Sequence, residues 1–503
     1  MNIEDIFLKF NSGSSRDYYS FETFILNLLK FHVENQGKKF TLIESQRGVG
    51  DAYAEDGFDN FKGRTLIDIK YSLYRSHSVI SNDNNFQKIV YFEKPKSFSN
   101  LLIINFQTVP SKTIAKITDE LKIINPALKI SIWGPNEIIK LANKHKIKAT
   151  EIGNNLFSLR LENAVTKEAG DWKKERDEKI DILKECYDRG QFSMFLGAGV
   201  SSSAGMPDWN TLLSSLFVSY LTKEFNQQAN ISDEDIKQIV ERLNTVDEPS
   251  ALMAARYLRK GLAKQTSEIK DFTKAITENL YKLRDTTKKL DSDLITAISS
   301  LCMPRRTGAK VKTVITYNFD DLIERQLADK SLRHHSIYTE NEAFDPDELP
   351  IYHVHGFLPE DTERYEGLEK STLVFSEEGY HQIYTDAYHW SNLVQLANLR
   401  ENNCLMIGLS MTDPNLRRLL DISARNIDTP RHYAFMRRLT IDKFAYSTKD
   451  GVRTQHVNNV TGAEEFLNRH HKLNEEIMKE LGVSIIWFTE FEEIPVILDK
   501  INS

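Results

Sequence analysis

Cysteine is scarce in this 503-residue chain: there are three, Cys186, Cys302 and Cys404. They are widely separated and form no CxxC pair, so they supply neither a zinc ribbon nor a disulfide framework. Long apolar runs are missing too, and none approaches the roughly 18–20 residues that span a bilayer. Prolines number 13, and no low-complexity tract interrupts the chain, which excludes fibrous and disordered classes. The opening "MNIEDIFLKF" has acidic residues where a signal peptide carries positive charge. A cytoplasmic protein without membrane attachment is expected.

What is present suits a soluble globular protein, with 40% hydrophobic and 27% charged residues. The length exceeds one ordinary core and predicts two or three domains. Charge is uneven. Residues 1–160 hold 22 basic and 17 acidic residues, whereas the remainder holds 43 and 55. A mildly basic front on an acidic body is compatible with nucleic-acid contact at the front and equally with an ordinary solvated surface.

Periodicity predicts an α/β fold in two domains. In residues 1–160, "SFETFILNLLKFHVEN" has helical spacing, while "KFTLIES", "RTLIDIKYS", "NLLIINF" and "KISIWG" read as strands. A charged linker or helix is expected over 161–178. From 179 to 503, short apolar strands alternate with helices, as in a doubly wound parallel sheet with ligands at its carboxyl edge. A helical insertion is expected at about 210–300.

In this second domain, "FLGAGVSSSAGMPDW" follows the apolar run "FSMFLGAG". Gly197, Gly199 and Gly205 are spaced wrongly for GxGxxG, and no Gly-Lys-Ser/Thr follows, which excludes a P-loop. A strand ending in such a loop is suited to an anionic group, with backbone amides and serine hydroxyls as donors. "TYNFDD" sets Thr316, Asn318 and Asp320 at a strand end, "HVHG" does the same for His355, and "MIGLS" for Gly408 and Ser410. Each alone also reads as an ordinary turn or core residue.

In this order the four stretches resemble the sirtuin family of NAD-consuming proteins, over roughly residues 180–500. The resemblance implies a Rossmann-like parallel sheet and a site for NAD+. Gly197, Ala198, Gly199, Val200, Ser201 and Ser202 would hold the diphosphate and adjoining ribose, with Pro207 and Asp208 in the same motif. Asn318, beside Thr316, would hold the nicotinamide-side ribose and the attacking water. Asp320 would bind the carboxamide, His355 would be the general base, and Gly408 and Ser410 would line the adenosine side. A neutral imidazole suits proton removal, and oriented dipoles suit the oxocarbenium character that builds as nicotinamide leaves.

Departures from the family's pattern choose the reaction. Protein deacylases of the family carry a four-cysteine zinc module, which three scattered cysteines cannot build, so no zinc is expected. Tyr317 replaces the usual glutamine. "LVFSEEGYHQIY" looks like zinc-free bacterial relatives that hydrolyse NAD+ as anti-phage, abortive-infection effectors. NAD+ hydrolysis is therefore expected, with NAD-dependent deacylation as the alternative.

In the front domain, Asp68 and Lys70 lie two apart on one strand and so share a face. With Asp59 upstream and Glu22 on the first helix, they are the parts for metal-assisted phosphodiester hydrolysis. This order is similar to the PD-(D/E)xK restriction-endonuclease fold over about residues 10–148. The resemblance implies Mg2+ on Asp59 and Asp68, water activation by Lys70, and Glu22 completing the site. No proline precedes Asp59, and Asp51 and Asp56 are rival ligands. The domain would cut nucleic acid or sense it. A nuclease using NAD+ as regulatory ligand is a further alternative. Because an ungated NAD+ hydrolase would poison its host, gating is expected through a homo-oligomer, a partner defence protein or nucleic acid.

Overall fold

The computed structural model describes residues 3–10, 16–43, 50–70, 98–156, 158–160, 171–208, 211–216, 268–340, 342–371, 373–374, 383–425, 429–449 and 452–503, with 162, 235, 238 and 242 singly. The chain forms two compact units. The first comprises Met1–Lys179, Asp421–Pro430 and Leu439–Ser484; the second comprises Ile180–Leu420, Arg431–Arg438 and Ile485–Ser503.

The first unit starts with helices α1 (Ile3–Lys9) and α2 (Arg16–Glu34). In α2, Phe21, Phe24, Ile25, Leu28, Leu29 and Val33 recur at three- and four-residue intervals and are all buried. Strands β1 (Phe40–Leu42) and β2 (Ala52–Ala54) pair antiparallel, the short β3 (Gly57–Phe58) and β4 (Phe61–Lys62) form a hairpin, and β5 (Thr65–Lys70) runs antiparallel to β2. Strands β6 (Asn100–Asn105) and β7 (Lys129–Trp133) then add in parallel, giving the order β1-β2-β5-β6-β7. Helices α3 (Ser111–Ile124), α4 (Pro135–Lys144) and α5 (Lys146–Asn154) complete the layers.

Strand β5 has a period of two and serves two cores. Ile67 and Ile69 join the cluster built on Phe21, Phe24, Leu28 and Ile138, while Leu66 joins the one built on Ile117, Leu121 and Leu128. Both faces of the sheet are therefore covered, which explains why five of its six residues are buried. The helix Val460–Glu480 also belongs to this unit. Arg160 pairs with Glu476 and Glu480 there, and the Tyr19 hydroxyl donates to the Lys479 carbonyl at 2.9 Å.

Helix α6 (Trp172–Asp188) leads toward the second unit. Its sheet has the order β10-β11-β9-β8-β12-β13, with the strand Val483–Phe488 as the seventh member. These are β8 (Phe192–Leu196), β9 (Val311–Thr316), β10 (His334–Ile337), β11 (Leu349–His353), β12 (Asn403–Ile407) and β13 (His432–Arg437). Neighbours from β10 to β13 pair in parallel. The connecting helices are α7 (Ala198–Ser203), α8 (Glu268–Lys282), α9 (Asp293–Cys302), α10 (Leu322–Asp329), α11 (Trp390–Glu401) and α12 (Pro414–Ser423). This is a mixed α/β unit with a seven-stranded Rossmann-like sheet. Of the expected insertion at 210–300, residue 210 and residues 217–267, apart from 235, 238 and 242, lie outside the described residues, as do 375–382 of "LVFSEEGYHQIY".

The three cysteines are buried on separate elements, α6, α9 and β12, and none of them is in a disulfide. Burial pushes the Cys302 thiol up to about 12. Among the described residues, no helix is long and apolar enough to cross a membrane.

Candidate active site

The four motif-bearing loops of the second unit begin in one row. Leu196, which ends β8, is in register with Thr316 at the end of β9 and with Ile407 at the end of β12. Thr316 is in register with His353 at the end of β11. Because the four strands run in parallel, the loops after residues 353, 316, 196 and 407 leave the same edge side by side. Three inter-strand spacings separate the outer two, about 14 Å.

The glycines of the first loop are needed for loop-to-loop contact. The Gly197 amide donates to the Ile407 carbonyl and the Gly199 amide to the Gly408 carbonyl, both at 2.9 Å. A Cβ on Gly199 would lie 2.8 Å from the Gly408 Cα, and one on Gly408 would lie 2.6 Å from the Val200 nitrogen. Gly408 also has φ +70°, a left-handed conformation open to glycine at little cost. At the far end of the loop, Gly205 (φ +89°) exchanges a 2.8 Å backbone bond with Asp285, and Arg284 and Lys288 donate to the Ala204 and Ser202 carbonyls.

The second loop closes on the first. The Tyr317 amide donates to the Leu196 carbonyl at 2.9 Å, and Asn318 Nδ2 donates to the Gly197 carbonyl at 3.0 Å. Thr316 Oγ1 accepts from the Asn318 amide at 3.1 Å. Asp320, fully enclosed, accepts from Ser201 and from the Leu322 amide. Burial pushes its carboxyl up to about 6, against the pull of those two bonds and with the charges of Glu324 and Asp321 adding to the rise.

His355 follows β11, with its ring 4.6 Å from the Tyr317 ring and nearly perpendicular to it. Burial holds the imidazole below its ordinary value, and the Asp413 carboxylate pulls it partly back up. The Tyr317 hydroxyl donates to Gln395 Oε1 of α11. On the remaining loop, the exposed Ser410 meets Thr412 at 2.6 Å. Asp208 spends its carboxylate on the Thr211 amide, capping the next helical segment, beside the half-buried Pro207.

Thus Gly197, Gly199, Asn318, Thr316 and Gly408 form one bonded group with Val200 packed against it. Ser201 is tied to Asp320, and His355 adjoins through Tyr317. Ala198 and Ser202 lie on α7, whereas Pro207, Asp208 and Ser410 have no bond to this group among the described contacts. Sequence reasoning missed Gln395, Asp413, Glu324 and His353. Gln395 sits on a helix with no periodic link to the motifs, whereas Asp413 lies three residues past Ser410 in the same loop. His353 is masked by its neighbour in "HVHG".

In the first unit, Lys70 Nζ bonds Asp68 Oδ1 at 2.8 Å, while Asp68 Oδ2 is buried with no partner among the described residues. Asp51 stands beside them and accepts from the Ile69 amide at 2.5 Å. Burial, then the charges of Glu22 and Asp68, raise its carboxyl well above the ordinary value, partly offset by Lys70. Asp59 is engaged elsewhere. With φ +43° it bonds His32 at 2.8 Å and Gln36 at 3.0 Å. Asp56 is exposed. Among the described residues, no three His, Cys, Asp or Glu side chains gather as a metal-holding group.

Known proteins add to this geometry. Residues 312–454 match the SIR2-like domain family. The chain is 25% identical over 198 residues to the NAD(+) hydrolase ThsA of Enterococcus faecium, a match covering 38% of each protein. The chain therefore spans well under half the length of that relative. Three of the four aligned loops, "TYNFDD", "HVHG" and "MIGLS", fall inside the SIR2-like match, and "FLGAGVSSSAG" precedes it.

Proposed function

We propose that the second unit hydrolyses NAD+ to nicotinamide and ADP-ribose, as an effector of anti-phage defence. The observation that carries this reading is the in-register row of strand ends, which aligns the glycine loop, Asn318, His355 and Gly408 along one edge. Similarity to an NAD(+) hydrolase supports the same chemistry.

In this reading the loop Gly197–Ser202 takes the diphosphate and adjoining ribose, and Gly408 and Ser410 take the adenosine side. Asn318, its amide fixed by the Gly197 carbonyl, orients the nicotinamide-side ribose and the water. Asp320 accepts from the carboxamide. His355, held neutral by burial, removes a proton from a ribose hydroxyl as positive charge builds at the sugar carbon. Asn318→Ala and His355→Ala should each abolish nicotinamide release by the purified protein, followed chromatographically. Turnover at the wild-type level in either variant would overturn the assignment. Product carrying an acyl group from an acetylated peptide would instead favour deacylation.

A second reading, for the first unit, rests on the Asp68 oxygen that has no partner among the described residues. An anionic oxygen buried without a donor is costly, and a divalent cation would satisfy it. Asp51 and Asp68 would then hold Mg2+ with retained waters, Glu22 nearby and Lys70 beside the attacking water. The chemistry supplied would be phosphodiester hydrolysis on nucleic acid. Asp59, engaged by His32 and Gln36, has no part in this version.

A further inference from the structure

Behind the Asn318 loop lies a buried, hydrogen-bonded Glu–His pair that the proposed reaction does not use. Glu324 of α10 and His353 at the end of β11 meet at 2.7 Å, with side chains 2% and 0% exposed. Burying two such polar side chains is costly unless their remaining polar atoms are satisfied. Here they are satisfied. His353 Nε2 faces Glu324 Oε1, and Nδ1 faces the Asn318 backbone carbonyl at 3.2 Å. Ser336 also donates to Glu324 at 3.3 Å, and the Phe357 ring lies 4.0 Å from the imidazole. Both ring nitrogens look at oxygen acceptors, so both bonds form together only when each nitrogen carries a proton.

These contacts close a ring. The loop after β9 runs from Asn318 into α10, Glu324 on α10 holds His353, and His353 returns to the carbonyl of Asn318. On its other side, Asn318 reaches Gly197 through its side-chain amide. The carbonyl bond therefore fixes the peptide plane from which the Asn318 side chain departs.

We propose that Glu324 and His353 form a clasp that positions Asn318 for catalysis. They act through the backbone and touch no substrate. The inference rests on the hydrolase reading and deepens it. Misplacing a reacting group by about 1 Å costs up to about a hundredfold in rate, whereas substrate binding by the glycine loop is left in place.

Two substitutions separate a clasp from a merely structural pair. His353→Asn keeps an amide donor near the position of Nδ1 and gives up Glu324. His353→Gln keeps a donor toward Glu324 and gives up the carbonyl. Each loses one partner, so the melting temperature should fall in both. The clasp predicts that kcat for nicotinamide release falls about tenfold or more in His353→Gln, with KM for NAD+ little changed, and stays within about threefold of wild type in His353→Asn.

Hydrogen exchange supplies a readout that needs no turnover. Amides 317–321 should exchange faster in His353→Gln than in His353→Asn. Equal kcat and equal exchange in the two variants, or wild-type kcat in His353→Gln, would overturn the clasp. A wild type that releases no nicotinamide would overturn the hydrolase reading instead, and the exchange comparison would then decide the clasp alone.

Discussion

Asp320 shows how one residue serves two ends. Burial raises its carboxyl to about 6, despite the bonds from Ser201 and the Leu322 amide. A group raised on folding contributes most to stability below its unfolded value near 3.8, and that contribution is lost as pH rises through about 6. At pH 7.5 the folded protein therefore carries an ionised, desolvated carboxylate. Asp320→Asn should raise stability at pH 7.5 by roughly 2 kcal/mol and leave it little changed near pH 4, read from urea midpoints. If the ionised carboxylate binds the carboxamide, kcat/KM should rise with pH through about 6, and the same change should remove that rise and lower the plateau. A variant no more stable at pH 7.5 would contradict the burial argument. The sequence marks Thr316, Asn318 and Asp320 as alternate residues at a strand end, but β9 stops at Thr316, so the other two lie in the following loop and are set by its own bonds rather than by strand alternation. Gln395 was not legible, since its bond to Tyr317 spans 78 residues and no local pattern announces it.

Among the elements, the loops after β8 and β12 are made for each other. Gly408 combines φ +70° with a Cβ position 2.6 Å from the Val200 nitrogen. Gly367 has φ +72° but only a lysine methylene at 4.0 Å. Comparing Gly408→Ala with Gly367→Ala therefore separates packing from backbone strain. The second should cost about 1 kcal/mol, and the first about 2 kcal/mol or more, with weaker NAD+ retention, measured by denaturant unfolding and calorimetry. Equal costs would show that the loops can part freely. Helix α11 is unusual in burying a polar row, Ser391, Asn392, Gln395 and Asn398. Each finds a partner, such as Ser193 for Asn398 and Asn415 for Asn392. Its apolar spacing was too weak to read, because the buried face is not the oily one. Strands such as β6, β8 and β12 were easier, being short, apolar and buried almost throughout.

For the molecule as a whole, strand–helix alternation announces the parallel pairing of the second unit's sheet, though not its strand order, and the motifs follow the carboxyl ends of its strands. The division of the chain was less legible. Sequence reasoning expected one boundary near 161–178, but Leu439–Ser484 packs with the first unit. Nothing local in "VTGAEEFLNRHHKLNEEIMKE" says which core it joins; the pairing of Arg160 with Glu476 and Glu480 spans more than 300 residues. The carboxylate set in that unit makes a separate prediction. Millimolar Mg2+ should raise the melting temperature of the full chain, and Asp68→Asn or Asp51→Asn should remove the rise. A rise that survives both would place the ion elsewhere. Nicotinamide release should be unchanged by Asp68→Asn.

The chain passes between its two units five times, at 179/180, 420/421, 430/431, 438/439 and 484/485. No single crossover in a gene can then lift either unit out whole, so the two are inherited together or not at all. Shuffling that exchanges only the first 179 residues would deliver a front lacking its helix Val460–Glu480 and leave that helix stranded in the recipient. Functional chimeras should therefore be recovered only when residues 439–484 travel with the front.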